Sequence, residues 1–270
     1  MNLDMKAIVL TFDRHRAITQ HMILQYERLW PDHPFCFRIP YQNLGGIDSD
    51  QLEYIKTAGD TPSGIPHTVL QLLADLPDEE WVYWCADDKY PIRLVINKIR
   101  DLMTEVVEAA DISGLLFCRT RVTLDQPELT LYPNERATAN GDVLLERRSW
   151  YQIWIHQFLK VKVLRYFFTK MPTELPSAKA MDGLKNEIEK PDEFRLFVTK
   201  ENLAVFGEST QRGLITRNCL DSIKRSGIEL PEWFRHSNGQ YVTMGEVSGW
   251  NGSWTSWTKR LLPISRRKRN

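Results

Sequence analysis

The chain has 270 residues, 42% of them hydrophobic and 26% charged, enough to bury a full core in one large domain. Lys+Arg and Asp+Glu both total 35, so the formal net charge is zero and no general attraction to nucleic acid follows. Four cysteines, Cys36, Cys85, Cys118 and Cys219, lie far apart with no CxxC or zinc-ligand spacing and read as buried thiols of a reducing compartment. No secretory signal is visible and no apolar run is long enough to span a bilayer, so the expected location is cytoplasmic.

In chain order, Ala7, Ile8, Val9, Leu10, Thr11 and Phe12 form a continuous apolar run of the kind an interior parallel strand needs. The run stops at Asp13-Arg14-His15-Arg16. A helix follows to about residue 29, with Ile18, Met22, Leu24, Tyr26 and Leu29 roughly on one face, until Pro31 and Pro34 end it. Phe35-Cys36-Phe37-Arg38-Ile39 is the second strand. The opening is therefore β-α-β, and the polar cluster at Asp13 falls at the carboxyl end of the first strand, where open α/β sheets bind ligands. Residues 41–66 are irregular, with a short helix near 50–57 and a turn-rich stretch at 59–64, and loops of this length are usually functional. Residues 67–76 have helical spacing through Val69, Leu72, Leu73 and Leu76.

The next strand, Trp81-Val82-Tyr83-Trp84-Cys85-Ala86, breaks into Asp87-Asp88-Lys89, and Pro91 can then open a helix predicted over 91–110. Adjacent carboxylates repel each other and resist desolvation, so at the end of a core strand they persist where water, a cation or a basic partner meets them. A solvated turn with an acidic helix cap is the plainer alternative. Beyond a strand within 111–122, residues 125–140 are too polar and Pro-rich to be core, and the alternation of strand and helix loosens. Strands are expected at 143–145, 150–155 and 194–198, and helices at 161–171, 176–190 and 215–226, the last ended by Gly227 as its C′ residue.

The β-α-β start, the irregular loop and a strand ending in paired acids together resemble the nucleotide-sugar half of a GT-A-type glycosyltransferase, strongest over residues 6–122. The resemblance implies a Rossmann-type mixed α/β sheet flanked by helices, a nucleotide-sugar donor (a UDP-sugar), and Mn²⁺ or Mg²⁺ held by a DxD-like motif. Ala86-Asp87-Asp88 is the matching motif, with alanine at its first position. By the resemblance Asp88 is the direct metal ligand, and Asp87 meets the ribose or assists the metal. Mg²⁺ needs only one or two protein carboxylates when phosphates and waters complete its shell. Thr11, Phe12, Asp13 and Arg14 lie where such enzymes seat the base and ribose, although Asp13 can equally cap the following helix. Ser63, Gly64 and His67 are further candidate donor contacts. Lys89 either meets a phosphate or pairs with its acidic neighbours.

For the catalytic base of an inverting reaction, Asp182 is the first candidate, against the alternative that it pairs with Lys179 or Lys185, and Glu208 is the reserve. The loop 207–213 places Arg212 before a helix, where it or Arg217 can stabilise a diphosphate leaving group; a plain loop leading into the helix fits as well. His236 is a possible further metal ligand or a structural histidine.

The expected division is one catalytic domain over 1–248, with a nucleotide-sugar half at 1–122 and an acceptor half at 123–248, and a Trp-rich basic tail at 249–270. In the tail, Trp250, Trp254 and Trp257 precede Arg266-Arg267-Lys268-Arg269, a composition suited to peripheral contact with an anionic membrane surface. Packing on the domain and lining the acceptor cleft are its alternatives. The expected partners are the nucleotide sugar and a glycan or lipid-linked acceptor. The competing functions are sugar nucleotidyl transfer, which usually goes with a glycine-rich loop after the first strand that is lacking here, and a non-catalytic carbohydrate-binding protein.

Overall fold

A computed structural model of the chain describes residues 5–57, 64–172, 178–211 and 213–235. The first apolar run becomes β1 (Met5–Leu10), followed by a single 3-10 turn over Asp13–His15 and helix α1 (Arg16–Leu29). Strands β2 (Phe35–Tyr41) and β3 (Leu52–Lys56) are added outward, each parallel to its neighbour. The short helix expected near 50–57 is therefore a strand. Pairing with β2 satisfies backbone groups that an isolated two-turn helix would leave marginal in water.

Helix α2 (Ile65–Leu72) leads to β4 (Trp81–Ala86), which pairs parallel to β1 on the side opposite β2. The chain then departs from the helix predicted over 91–110. Residues Lys89–Leu94 form strand β5, and helix α3 (Ile96–Glu108) begins only after it. Pro91 opens no helix. It sits within β5, opposite Phe206, and the register shifts beside it, with Ile92 the extra residue of β5 between the Pro91–Phe206 and Arg93–Val205 pairs, an irregularity suited to a residue that has no N–H to give the ladder.

Next come β6 (Gly114–Leu116), the short helices α4 (Arg121–Asp125) and α5 (Pro127–Thr130), and the hairpin of β7 (Leu131–Ala137) with β8 (Val143–Arg147). The polar stretch expected to be loop thus supplies β7, an edge strand whose mostly exposed residues discourage further pairing. The strand expected over 150–155 is a series of turns, and the strand begins two residues later as β9 (Gln157–Lys160). Helices α6 (Val161–Lys170) and α7 (Ala178–Leu184) precede β10 (Leu196–Thr199). Then follow β11 (Ala204–Glu208), a small hairpin of β12 (Thr210–Gln211) and β13 (Leu214–Ile215), and helix α8 (Arg217–Arg225). Thr216 caps α8 by accepting from the Cys219 amide, and Gly227 follows it at φ 71°, the left-handed C′ position expected of it.

The architecture is α/β, with nine strands in one mixed sheet of order β3-β2-β1-β4-β9-β6-β10-β8-β7. Strands from both sequence halves share this sheet, and β9 runs antiparallel between β4 and β6. Side chains alternate across it. Val9, Tyr83 and Cys85 join α1 and α3 in one core layer, while Ile8, Val82 and Trp84 join α2 and α6 in the other. Cys85, Cys118 and Cys219 are buried, Cys36 is half-buried, and all four are free thiols. No helix among the described residues is long and apolar enough to cross a membrane.

Candidate active site

Beyond β1 lie β2 and β3, and beyond β4 the chain-order continues the other way, so connections diverge between β1 and β4. At such a switch point the carboxyl ends of neighbouring parallel strands are where open α/β sheets bind their ligands. Thr11 follows β1 and Asp87 follows β4, and the Asp87 amide donates to the Leu10 carbonyl at 3.1 Å, joining the two ends.

Asp87 and Asp88 are therefore not a strand-to-helix cap. They form the turn by which the chain leaves the main sheet at β4 and enters the separate β5–β11 ribbon. Asp87 is buried. Its Oδ2 accepts from the Thr11 hydroxyl at 2.6 Å and lies 2.9 Å from His15 Nδ1, while Thr11 Oγ1 is 2.7 Å from Thr19 Oγ1. Burial alone would lower the His15 pKa, but the charge and hydrogen bond of Asp87 more than offset it and hold it above the ordinary histidine value.

Asp88 faces a different environment. Its Oδ2 accepts from Lys89 at 2.8 Å, whereas its Oδ1 is buried with no hydrogen-bond partner. Lys89 is buried, which disfavours its charge, yet Asp88 followed by Glu208 and Asp182 keeps its pKa above the usual lysine value. Glu208 ends β11 in register with Lys89, and the next amide, that of Ser209, donates to the Asp88 carbonyl at 2.6 Å. Burial pushes the Glu208 carboxyl up, and the nearby Asp88 adds to the effect against the pull of Lys89.

The other sequence candidates fall into distinct positions. Asp13 does not cap the turn that it opens. Its carboxylate accepts from the backbone N–H groups of Asn43 at 2.6 Å, Leu44 at 3.0 Å and Gln42 at 3.2 Å, and so clasps the segment after β2 beside the crevice. Although desolvation opposes it, these amides and Arg16 lower the Asp13 pKa. Phe12 is half-buried against the core layer of α2, while Arg14 and His67 are exposed. Asp182 is largely exposed and paired with Lys185, as its alternative reading held. Arg217 lies on the outside of α8 and approaches Asp221 at 3.9 Å. Ser63, Arg212, His236 and the tail 249–270 lie outside the described residues.

Two residues of the site escaped the sequence reading. His15 stands in the visible polar cluster after β1, but nothing local shows that it turns toward Asp87. His156 precedes β9 and is fully buried; its Nε2–H donates to the Ala86 carbonyl at 2.8 Å and its Nδ1 accepts from the Tyr26 hydroxyl at 2.7 Å. Burial drives its pKa down to about 4, so the ring is a neutral brace at the base of the acidic turn.

Among the described residues no cluster of three or more His, Cys, Asp or Glu side chains is arranged to hold a metal ion. The donor set for a cation at the crevice is accordingly small. It centres on the unpartnered Asp88 oxygen, with Asp87 beside it, and that fits an oxygen-seeking divalent ion whose remaining ligands come from a phosphate-bearing substrate and water.

No protein-family model matches the sequence, and no curated protein matches it. Among solved structures the chain is similar to the galactosyltransferase LgtC in complex with donor and acceptor sugar analogues, at 12% identity over 72% of this chain and 73% of that one, TM-score 0.39. It is also similar to TarS of S. aureus, at 15% identity over 78% of this chain and 37% of that one, TM-score 0.46. A third similarity is to 4-diphosphocytidyl-2C-methyl-D-erythritol synthase of Anaerococcus prevotii, at 6% identity over 84% of this chain and 97% of that one, TM-score 0.39.

Proposed function

We propose that the protein is a metal-dependent glycosyltransferase that moves a sugar from a nucleotide-sugar donor, a UDP-sugar, to a glycan or lipid-linked acceptor. The observation that carries this reading is the acidic turn at the β1/β4 switch point, where Asp88 keeps one carboxylate oxygen buried and unpartnered. A buried polar atom left unsatisfied costs about 1–3 kcal/mol, so its retention at a ligand crevice favours a partner that arrives with the substrate.

Asp88 would hold Mn²⁺ or Mg²⁺, with Asp87 assisting, and the cation when bound would neutralise charge developing on the diphosphate as it leaves the anomeric carbon. Thr11 and His15 orient Asp87, and Lys89 balances Asp88 while no substrate is present. Glu208 is the favoured base for the acceptor hydroxyl in an inverting displacement. It is half-buried, adjoins the acidic turn, and its raised pKa brings proton transfer closer to neutral pH. Asp182, exposed and ion-paired, is the weaker candidate.

The test is a thermal-shift and donor-hydrolysis screen of UDP-, GDP- and CMP-sugars with and without Mn²⁺. Metal-dependent binding and slow release of the sugar are expected for a UDP-sugar. If the folded protein neither binds nor hydrolyses any donor in the panel, the reading is wrong. Release of pyrophosphate from a nucleoside triphosphate and a sugar phosphate would point instead to nucleotidyl transfer.

A further inference from the structure

A cavity lies between α1, the start of β5 and α8, on surfaces the acidic turn does not use. It encloses about 290 Å³, and its lining includes Gln25, Arg28, Tyr90, Asn218, Ser222 and Arg225. This is close to the lower end of the range for small-molecule sites.

Two guanidinium groups and a single carboxylate line it, an excess of positive charge. Arg28 donates to the Gln25 side-chain oxygen at 2.8 Å, and neither Arg28 nor Arg225 has an ion-pair partner among the described residues. The one carboxylate in the lining, Asp221, approaches Arg217 on the same helix at 3.9 Å. Like charges brought to one cavity repel, and a bridging anion converts that repulsion into two charge-assisted contacts.

The wall behind the arginines is built and buried. Ser222 Oγ lies 2.8 Å from His21 Nε2, Cys219 Sγ is 3.8 Å from His21 Nδ1, and the His21 ring meets the edge of Tyr90 at 4.8 Å between centroids. Burial pushes the His21 pKa down to about 4, helped by the fields of Arg28 and Arg225. Asn218 and Ser222 add neutral polar groups, and Pro91 with the exposed Ile92 offers an apolar wall for the uncharged part of a ligand.

We propose that this cavity binds a small phosphate-bearing molecule, with Arg28 and Arg225 clamping the phosphate and Asn218 and Ser222 completing its hydrogen bonds. Guanidinium forks match phosphate oxygens in pairs, which a lysine ammonium does not. The site is distinct from the acidic crevice, where a phosphate would meet Asp87 and Asp88. Its floor is joined to the acidic turn only along the chain, Tyr90 standing two residues after Asp88 and opposite Gly207 in the β5–β11 ribbon.

Calorimetric titration of the full chain, without divalent metal, with inorganic phosphate, glucose 1-phosphate and sodium chloride at matched ionic strength tests the proposal. Binding is expected for phosphate or glucose 1-phosphate and not for chloride, with stronger binding of glucose 1-phosphate marking an organic ligand and equal binding marking free phosphate. Arg28→Gln/Arg225→Gln should weaken it about tenfold or more, and Asn218→Asp, which adds a negative charge to the cavity, should weaken it similarly. Asp88→Asn should leave it unchanged. No binding at millimolar concentration, equal binding by the arginine double variant and wild type, or loss in Asp88→Asn alone would overturn the proposal. The arginines are exposed, so circular dichroism is expected to confirm a native fold in the double variant, and the Asn218→Asp result stands independently of it.

Discussion

Thr11 donates a 2.6 Å hydrogen bond to Asp87 Oδ2 across 76 positions of sequence, tying the first residue after β1 to the first residue after β4. His15 adds a second contact to the same oxygen at 2.9 Å. Asp87 is thereby spent on holding the acidic turn against the switch point, and Asp88 is left as the acid with an unmet oxygen. The two neighbours divide the work that the sequence presents as one pair.

Asp88→Asn is expected to remove the metal-dependent part of any nucleotide-sugar thermal shift. Its side chain is partly exposed and its one ion-pair partner among the described residues is Lys89, so the loss in stability should be modest, about 1–2 kcal/mol. Urea denaturation alongside the shift assay separates the two effects, and a metal-dependent shift that survives the change would place the cation elsewhere.

Glu208→Gln should lower kcat about 10²–10⁴-fold, the usual contribution of a general base, with KM for the donor little altered. Asp182→Asn should cost less than about tenfold, because that carboxylate already serves Lys185. Steady-state kinetics on the two variants decides between the bases, and the reverse order of effects would reassign the role.

Two histidines should give stability opposite dependences on pH. The folded pKa of His156 is about 4, below the unfolded value of about 6.5, so its neutral form stabilises the protein above pH 6.5 and that stability is lost as pH falls toward 4. The loss is on the order of 3 kcal/mol. The folded pKa of His15 is raised, so its contribution is complete below about pH 6.5 and disappears as pH rises through the folded value. Urea midpoints across this range should show a shallower acid decline in His156→Gln and a shallower alkaline decline in His15→Gln. Parallel curves for wild type and both variants would contradict these assignments.

Gly207→Ala should destabilise the protein by about 1–3 kcal/mol, the cost of overpacking, since the added Cβ would lie 2.6 Å from Tyr90 Cζ. Tyr90→Leu in the same background should recover part of the loss, a non-additivity that denaturation of the single and double variants measures. Fully additive losses would show that the ring is not what the new methyl group strikes.

Local pattern carried the first half of the fold well where one segment decided its own state. The unbroken apolar run before Asp13 and the run from Trp81 to Ala86 read as interior strands and are so, and Gly227 could end α8 because glycine takes its backbone angle at little cost. Residues 91–94 misled for the converse reason. Pro91, Ile92 and Leu94 are compatible with the start of a helix, and only β11, more than a hundred residues later, supplies the ladder that makes them a strand. β9 was hidden similarly, because its place between β4 and β6 depends on two partners far away in sequence.

The same boundary runs through the candidate site. By itself the sequence determined that two acids follow a buried strand and that a polar cluster follows the first, since hydrophobic periodicity and the cost of burying charge are local properties. Tertiary structure alone decided that Thr11 and His15 hold Asp87, that Lys89 and Glu208 face Asp88, and that Asp13 clasps residues 42–44. Hydrogen bonds and charge pairing act over a few ångströms in space, and only the folded sheet brings these residues within that reach.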